Sequence, residues 1–189
     1  MEQIKKIGLL LLGFALCATF GSHIYAARNQ RVTKGKAVLK GDFQMSQERL
    51  NVLLANHAVL LIQTLKYHWD IVGREFHDYH LLFDKQYNQL FADMDLIAER
   101  VRAVGGIALG SMQQMLSAAT LKEDIGDVIE PKQMIVRLLD QYETLIAQIR
   151  DMIELLEAKT KDFGTKKMLE DLIEQHEKTA WMLRSLTGK

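Results

Sequence analysis

Cysteine and proline are nearly absent from this chain, with one of each in 189 residues. Cys17 lies in an N-terminal apolar run, so the remainder holds no thiol, which excludes a disulfide framework and a thiolate metal site. The lone Pro131 leaves long stretches free of helix breakers. An excess of either charge is missing too. Lysine plus arginine and aspartate plus glutamate both number 24, for a formal net charge of 0, so the chain as a whole carries no nucleic-acid signal. Strand-like alternation and internal repeats are also lacking. What remains is 48% hydrophobic and 25% charged, the composition of a globular, helix-rich domain with a sizeable core.

The longest apolar run, 7–20, follows Lys5 and Lys6 and gives way to small and polar residues. This is the layout of a secretory signal peptide with Ala26 at the cleavage point and Ile24 an imperfect residue before it. Its 14 residues fall short of the about 20 that a membrane span needs. Residues 1–26 are therefore expected to export the protein to the periplasm or the medium. A membrane-anchored form is the first alternative and a cytoplasmic one the second. Arg28, Arg31, Lys34, Lys36 and Lys40 follow the run, and by the positive-inside rule they favour keeping the C-terminal side in the cytoplasm. The basic segment 27–45 has two readings: a flexible tail that binds DNA phosphates, or a solvated linker or lipid-headgroup patch. Export puts chromosomal DNA out of reach and favours the second.

Four long amphipathic helices are expected over 46–187. The first starts near Ser46, read as its N-cap, and carries Leu50, Leu53, Leu54, Leu61 and Leu65 to about Asp70. Gly73 breaks the chain before the second, which ends at Gly105 and Gly106. Its apolar positions are Phe83, Tyr87, Leu90, Phe91, Met94, Ala98 and Val101. A long connection follows, with a short helix over 111–119. The third helix begins at Pro131 and the fourth after a break around 162–164. The expected fold is all-α: a four-helix bundle whose helices 2 and 3 are joined by a crossover containing a short extra helix.

On the second helix, His80, Asp84, Asp95 and Glu99 fall within roughly 100° of arc. With His68 at the end of the first helix they offer two imidazoles and three carboxylates, donors that suit iron and other divalent first-row metals. The pairs 80/84 and 95/99 are i,i+4 neighbours, yet their centres are separated by roughly 22 Å of helix rise. Metal–ligand bonds of about 2 Å cannot bridge that gap. A two-fold axis near residues 89–90 can, by setting one chain's His80 and Asp84 against the other's Asp95 and Glu99. The other histidines read differently. His57 and His176 are expected to be structural core groups, and His77 a surface group or an outer partner of the site.

The run HWDIVGREFHDYHLLFDKQYNQLFADMDLIAER resembles the signature of the Dps family of mini-ferritins. The resemblance continues through VGGIALGS and through EKTAWML with Trp181, covering roughly 46–187. It implies a ferritin-like bundle in a hollow twelve-subunit shell, with di-iron ferroxidase sites of His68, His80, Asp84, Asp95 and Glu99 at two-fold interfaces. Trp69 would stand beside that site. Fe(II) would be oxidised by hydrogen peroxide or oxygen and stored as ferric mineral, with DNA compaction through the basic tail as the alternative function. The apolar N-terminus departs from the family pattern. An ordinary ferritin site inside each bundle uses Glu-x-x-His, and none of the six histidines has a glutamate three residues before it.

Overall fold

The computed structural model describes residues 43–126 and 129–188, which contain five helices and no strand. These are α1 (Gln44–Asp70), α2 (Phe76–Ala103), α3 (Met112–Ala118), α4 (Pro131–Lys159) and α5 (Phe163–Leu186). The all-α expectation, the crossover helix and the start at Pro131 hold. Neither the export segment 1–26 nor the basic stretch through Lys40 lies within the described residues. No described helix is long and apolar enough to cross a membrane.

Two helix starts differ from expectation. Ser46 is not a cap, because α1 begins at Gln44 and Ser46 is fully buried in its first turns. The break before α5 is shorter than expected, because Asp162 caps the helix by accepting from the Thr165 N–H at 3.1 Å. Gly164 consequently lies in the first turn of α5. A Cβ there would come 2.6 Å from an Arg100 guanidinium nitrogen. Glycine at 164 lets Arg100 cross to the buried Asp162 carboxylate at 2.6 Å.

Helix α1 packs along α2, and α4 along α5, giving two helical hairpins whose apolar faces meet in one core. On α2 and at its C-cap the fully buried residues Phe83, Leu90, Ile97 and Val104 recur every seven positions, the spacing of a knobs-into-holes seam. Phe91, expected on the apolar face, is 68% exposed, because it is one position (100°) beyond Leu90 and already on the far flank. The companion seam positions 86, 93 and 100 carry Gln86, Asp93 and Arg100 in place of apolar residues.

Side chains of α1 hold the crossover. Asn51 donates to Ile107 O at 3.0 Å and accepts from Leu109 N at 3.1 Å. Asn56 accepts from the Thr120 and Leu121 N–H groups. Gln63 accepts from Asp124 N at 2.6 Å, and Tyr67 donates to the Asp124 carboxylate at 2.9 Å. Arg137 of α4 pairs with the same carboxylate. Side-chain amides on one helix, those of Asn56 and Gln63 buried, thereby satisfy the backbone of an irregular segment that would otherwise leave polar groups orphaned.

Candidate metal centre at the α1–α2 corner

The turn 71–75 folds α2 back on α1, with Gly73 at φ +107°, a conformation that a side chain would strain. This brings His68, in the last turn of α1, against His80, in the second turn of α2. Their rings stack with centroids 3.8 Å apart and planes 21° from parallel. His68 Nδ1 donates to the His80 carbonyl at 3.1 Å, and His80 Nδ1 donates to the His68 carbonyl at 3.0 Å. A carbonyl oxygen can only accept, so each ring carries its proton on Nδ1 and keeps its lone pair on Nε2. Anchoring one imidazole nitrogen to a carbonyl while freeing the other is the usual preparation of a metal-ligating histidine. The reciprocal pair also fixes the orientation of both rings.

Asp84 stands one turn beyond His80. Tyr87 Oη donates to Asp84 Oδ1 at 2.6 Å, and Asn88 Nδ2 donates to the Asp84 carbonyl at 2.8 Å. The Tyr87 ring lies edge-on to His68 at 5.2 Å, while Phe76 stacks on the outer side of His80 at 4.9 Å. The hydrogen bond to the Asp84 carboxylate pushes the Tyr87 phenol above its ordinary range, with loss of solvation adding to it. Tyr87 therefore stays a proton donor that orients the carboxylate.

The five sequence candidates thus divide. One chain brings His68 and His80 into ring contact, with Asp84 one helical turn beyond His80 on α2. Asp95 and Glu99 are exposed on the same continuous helix, displaced along it. Trp69 is 70% exposed, and His77 is exposed as well. His57 and His176 are buried and hydrogen-bonded to each other, as expected of core histidines. Sequence reasoning missed Tyr87, Phe76 and Asn88 as supports. Their signal was the i+3 and i+4 spacing from Asp84 for the tyrosine and asparagine, and i−4 from His80 for the phenylalanine.

Residues 47–189 match the ferritin-like domain family. The chain is 45% identical to a low temperature-induced protein of Nostoc sp. over 136 residues, which cover 72% of this chain and 76% of the relative. It is 32% identical to the DNA protection during starvation protein of Halobacterium salinarum over 155 residues, covering 78% and 85%. Among solved structures it is similar to the Dps protein of Vibrio cholerae, described as one of the ferritin-like diiron-carboxylate proteins. That match has a TM-score of 0.72 and 36% identity, and covers 76% of this chain and 89% of the other. Dps from Thermosynechococcus elongatus superposes with a TM-score of 0.74 at 29% identity, over 77% and 92%. The chain therefore belongs to the Dps family of the ferritin-like superfamily.

Proposed function

We propose that the protein is a ferroxidase and iron store whose oxidation sites are completed across a two-fold interface between identical subunits. His68, His80 and Asp84 of one subunit bind Fe(II) together with Asp95 and Glu99 of the partner. The observation that carries the reading is the reciprocal His68–His80 pair, which leaves both Nε2 lone pairs unused one helical turn from a carboxylate oriented by Tyr87. Carboxylates favour the harder ferric ion, so the site stabilises the product of electron loss. Each Fe(II) surrenders one electron to hydrogen peroxide or oxygen, and the hydrolysed ferric product passes to a mineral inside a shell, in a dodecamer of two-fold dimers. Removing ferrous iron and peroxide together gives protection against oxidative damage.

The surface around the stripe supports burial against a second copy. Leu81, Phe91 and Leu96 are 54%, 68% and 44% exposed between and beside the metal-facing residues of α2. Large apolar side chains interleaved with carboxylates on one helix face are costly in water and suit an interface core with a polar centre. The test is stopped-flow Fe(II) oxidation by His80→Ala and Asp95→Ala with the oligomer checked by sizing. Both variants are expected to assemble and to lose fast oxidation. Unchanged kinetics in assembled variants would overturn the proposal.

The second reading, DNA compaction through the basic segment 27–45, rests on the five basic residues from Arg28 to Lys40. Phosphate contacts of that kind predict DNA retardation that weakens steeply with salt and disappears on deleting 27–41. Absence of binding by the intact chain at low salt would rule it out.

A further inference from the structure

Asp93 occupies a core position of α2 yet is ionisable and only 3% exposed. Among the described residues no lysine or arginine pairs with it. Its two oxygens accept from amides, Gln89 Nε2 at 3.1 Å and Gln175 Nε2 at 2.7 Å. Buried carboxylates are ordinarily matched by a cation or a metal, and two neutral amides orient such a group without neutralising it. The other groups facing it are two imidazoles and the buried Tyr142 phenol of α4, whose ring packs 5.6 Å from that of His176. His57 of α1 and His176 of α5 are 0% and 1% exposed, and their ligand atoms and that of Asp93 all lie within 4.8 Å of one another.

The histidine pair is arranged as ligands are. His57 Nδ1 donates to Leu53 O at 2.8 Å, so this ring carries its proton on Nδ1 and aims its Nε2 lone pair inward. His176 Nε2 lies 3.0 Å from that atom. Two nitrogens bound at about 2.05 Å to one tetrahedral ion stand roughly 3.3 Å apart, so the observed spacing is within a few tenths of an ångström of the bound one.

We propose that His57, Asp93 and His176 form a mononuclear site for a divalent first-row transition ion inside each helix bundle, separate from the stripe at the subunit surface. The ion replaces the single hydrogen bond between the imidazoles, with His176 shifting its proton to Nδ1. It also supplies the positive charge that Asp93 lacks. Three protein ligands leave one position of a tetrahedron for a small exchangeable group. The ligands come from α1, α2 and α5, so the ion ties both hairpins together and binding is coupled to stability. The site does not use Glu-x-x-His: Leu54 and Ile173 stand three residues before the two histidines.

The test uses the full chain with the surface stripe silenced by His68→Ala, His80→Ala, Asp95→Ala and Glu99→Ala, stripped of metal and confirmed helical by circular dichroism. Equilibrium dialysis against Zn(II) is expected to load one ion per chain and raise Tm. Co(II) in the same protein is expected to give the intense visible bands of four-coordinate cobalt. Adding the isosteric Asp93→Asn, or separately His176→Gln, is expected to weaken Zn(II) by about 100-fold or more, beyond the loss seen for outer-sphere partners. If His176→Gln does not fold, Asp93→Asn alone decides. A silenced protein that binds no Zn(II), or Zn(II) that survives a folded Asp93→Asn variant, overturns the site. Since the stripe is already absent from this background, the result is independent of whether the ferroxidase proposal stands.

Discussion

Sharing one site between two subunits has a quantitative signature in mixed oligomers. Take one subunit with Asp95→Ala and Glu99→Ala, and another with His68→Ala and His80→Ala. Each homo-oligomer lacks half of every site and should be inactive. In a heterodimer the first subunit supplies His68, His80 and Asp84, and the second supplies Asp95 and Glu99. One of the two interface sites is then intact and the other doubly damaged. Random assembly at equal dose makes half of the dimers mixed, so about a quarter of all sites recover. The premise is the continuity of α2 from Phe76 to Ala103, which keeps the two ligand pairs roughly 22 Å apart on any one chain. Co-expression with two different tags and sequential purification yields the mixed species, and stopped-flow Fe(II) oxidation per subunit reads the recovery. Zero recovery in shells shown by mass spectrometry to contain both subunits would refute the shared site, because single-chain sites stay dead in either parent.

Other expectations follow from the supports around the site and the core. Tyr87→Phe removes the 2.6 Å hydrogen bond to Asp84 and should lower Fe(II) affinity by about 10-fold with unchanged assembly, measured by titration calorimetry under anaerobic conditions. Gly164→Ala drives a Cβ into the Arg100 guanidinium and should cost about 2–3 kcal/mol, because Asp162, 1% exposed, loses its cation. Denaturant midpoints measure that cost, and an unchanged midpoint would count against the packing argument. Burial pushes Asp162 upward, but bonds from Thr165 and Arg100 outweigh it and hold the carboxyl below its ordinary range. A group depressed in the folded state stabilises above its unfolded pKa of about 3.9 and loses that contribution as pH falls through the folded value. Stability should therefore drop more steeply below about pH 4 in the parent than in Asp162→Asn.

The parts of the molecule legible in sequence were those written in periodicity and punctuation. Pro131 marked a helix start to the residue, Gly73 marked the α1–α2 corner, and the spacing of His80, Asp84, Asp95 and Glu99 placed them on one face. What escaped was decided by contacts between distant residues. Ser46 looks like a cap because caps are serines, but its position is buried where α1 meets the rest of the core. Gly164 looks like a breaker, but it is small because Arg100, 64 positions earlier, passes over it. Phe91 looks like core, because a window of apolar spacing does not distinguish the core face from a flank 100° away that is also apolar.

The same reasoning explains why the inner polar residues of α2 were illegible. Read alone, Gln86, Asp93 and Arg100 interrupt an apolar seam and lower its apparent amphipathicity. In the bundle, two of the three face partners supplied by the last hairpin: Gln175 bonds Asp93, while Asp162 and Thr165 bond Arg100. A partner offsets the cost of burying a polar residue, and for Asp93 and Arg100 it lies more than 60 positions away in sequence, whereas the Gln86 amide is buried without one. Local pattern therefore identifies a helix by the residues that need no partner. Chemistry collects at the residues that need one: the inward seam of α2 is met by α5, and the same argument is the ground for the second subunit proposed at its outward stripe and the cation proposed at Asp93.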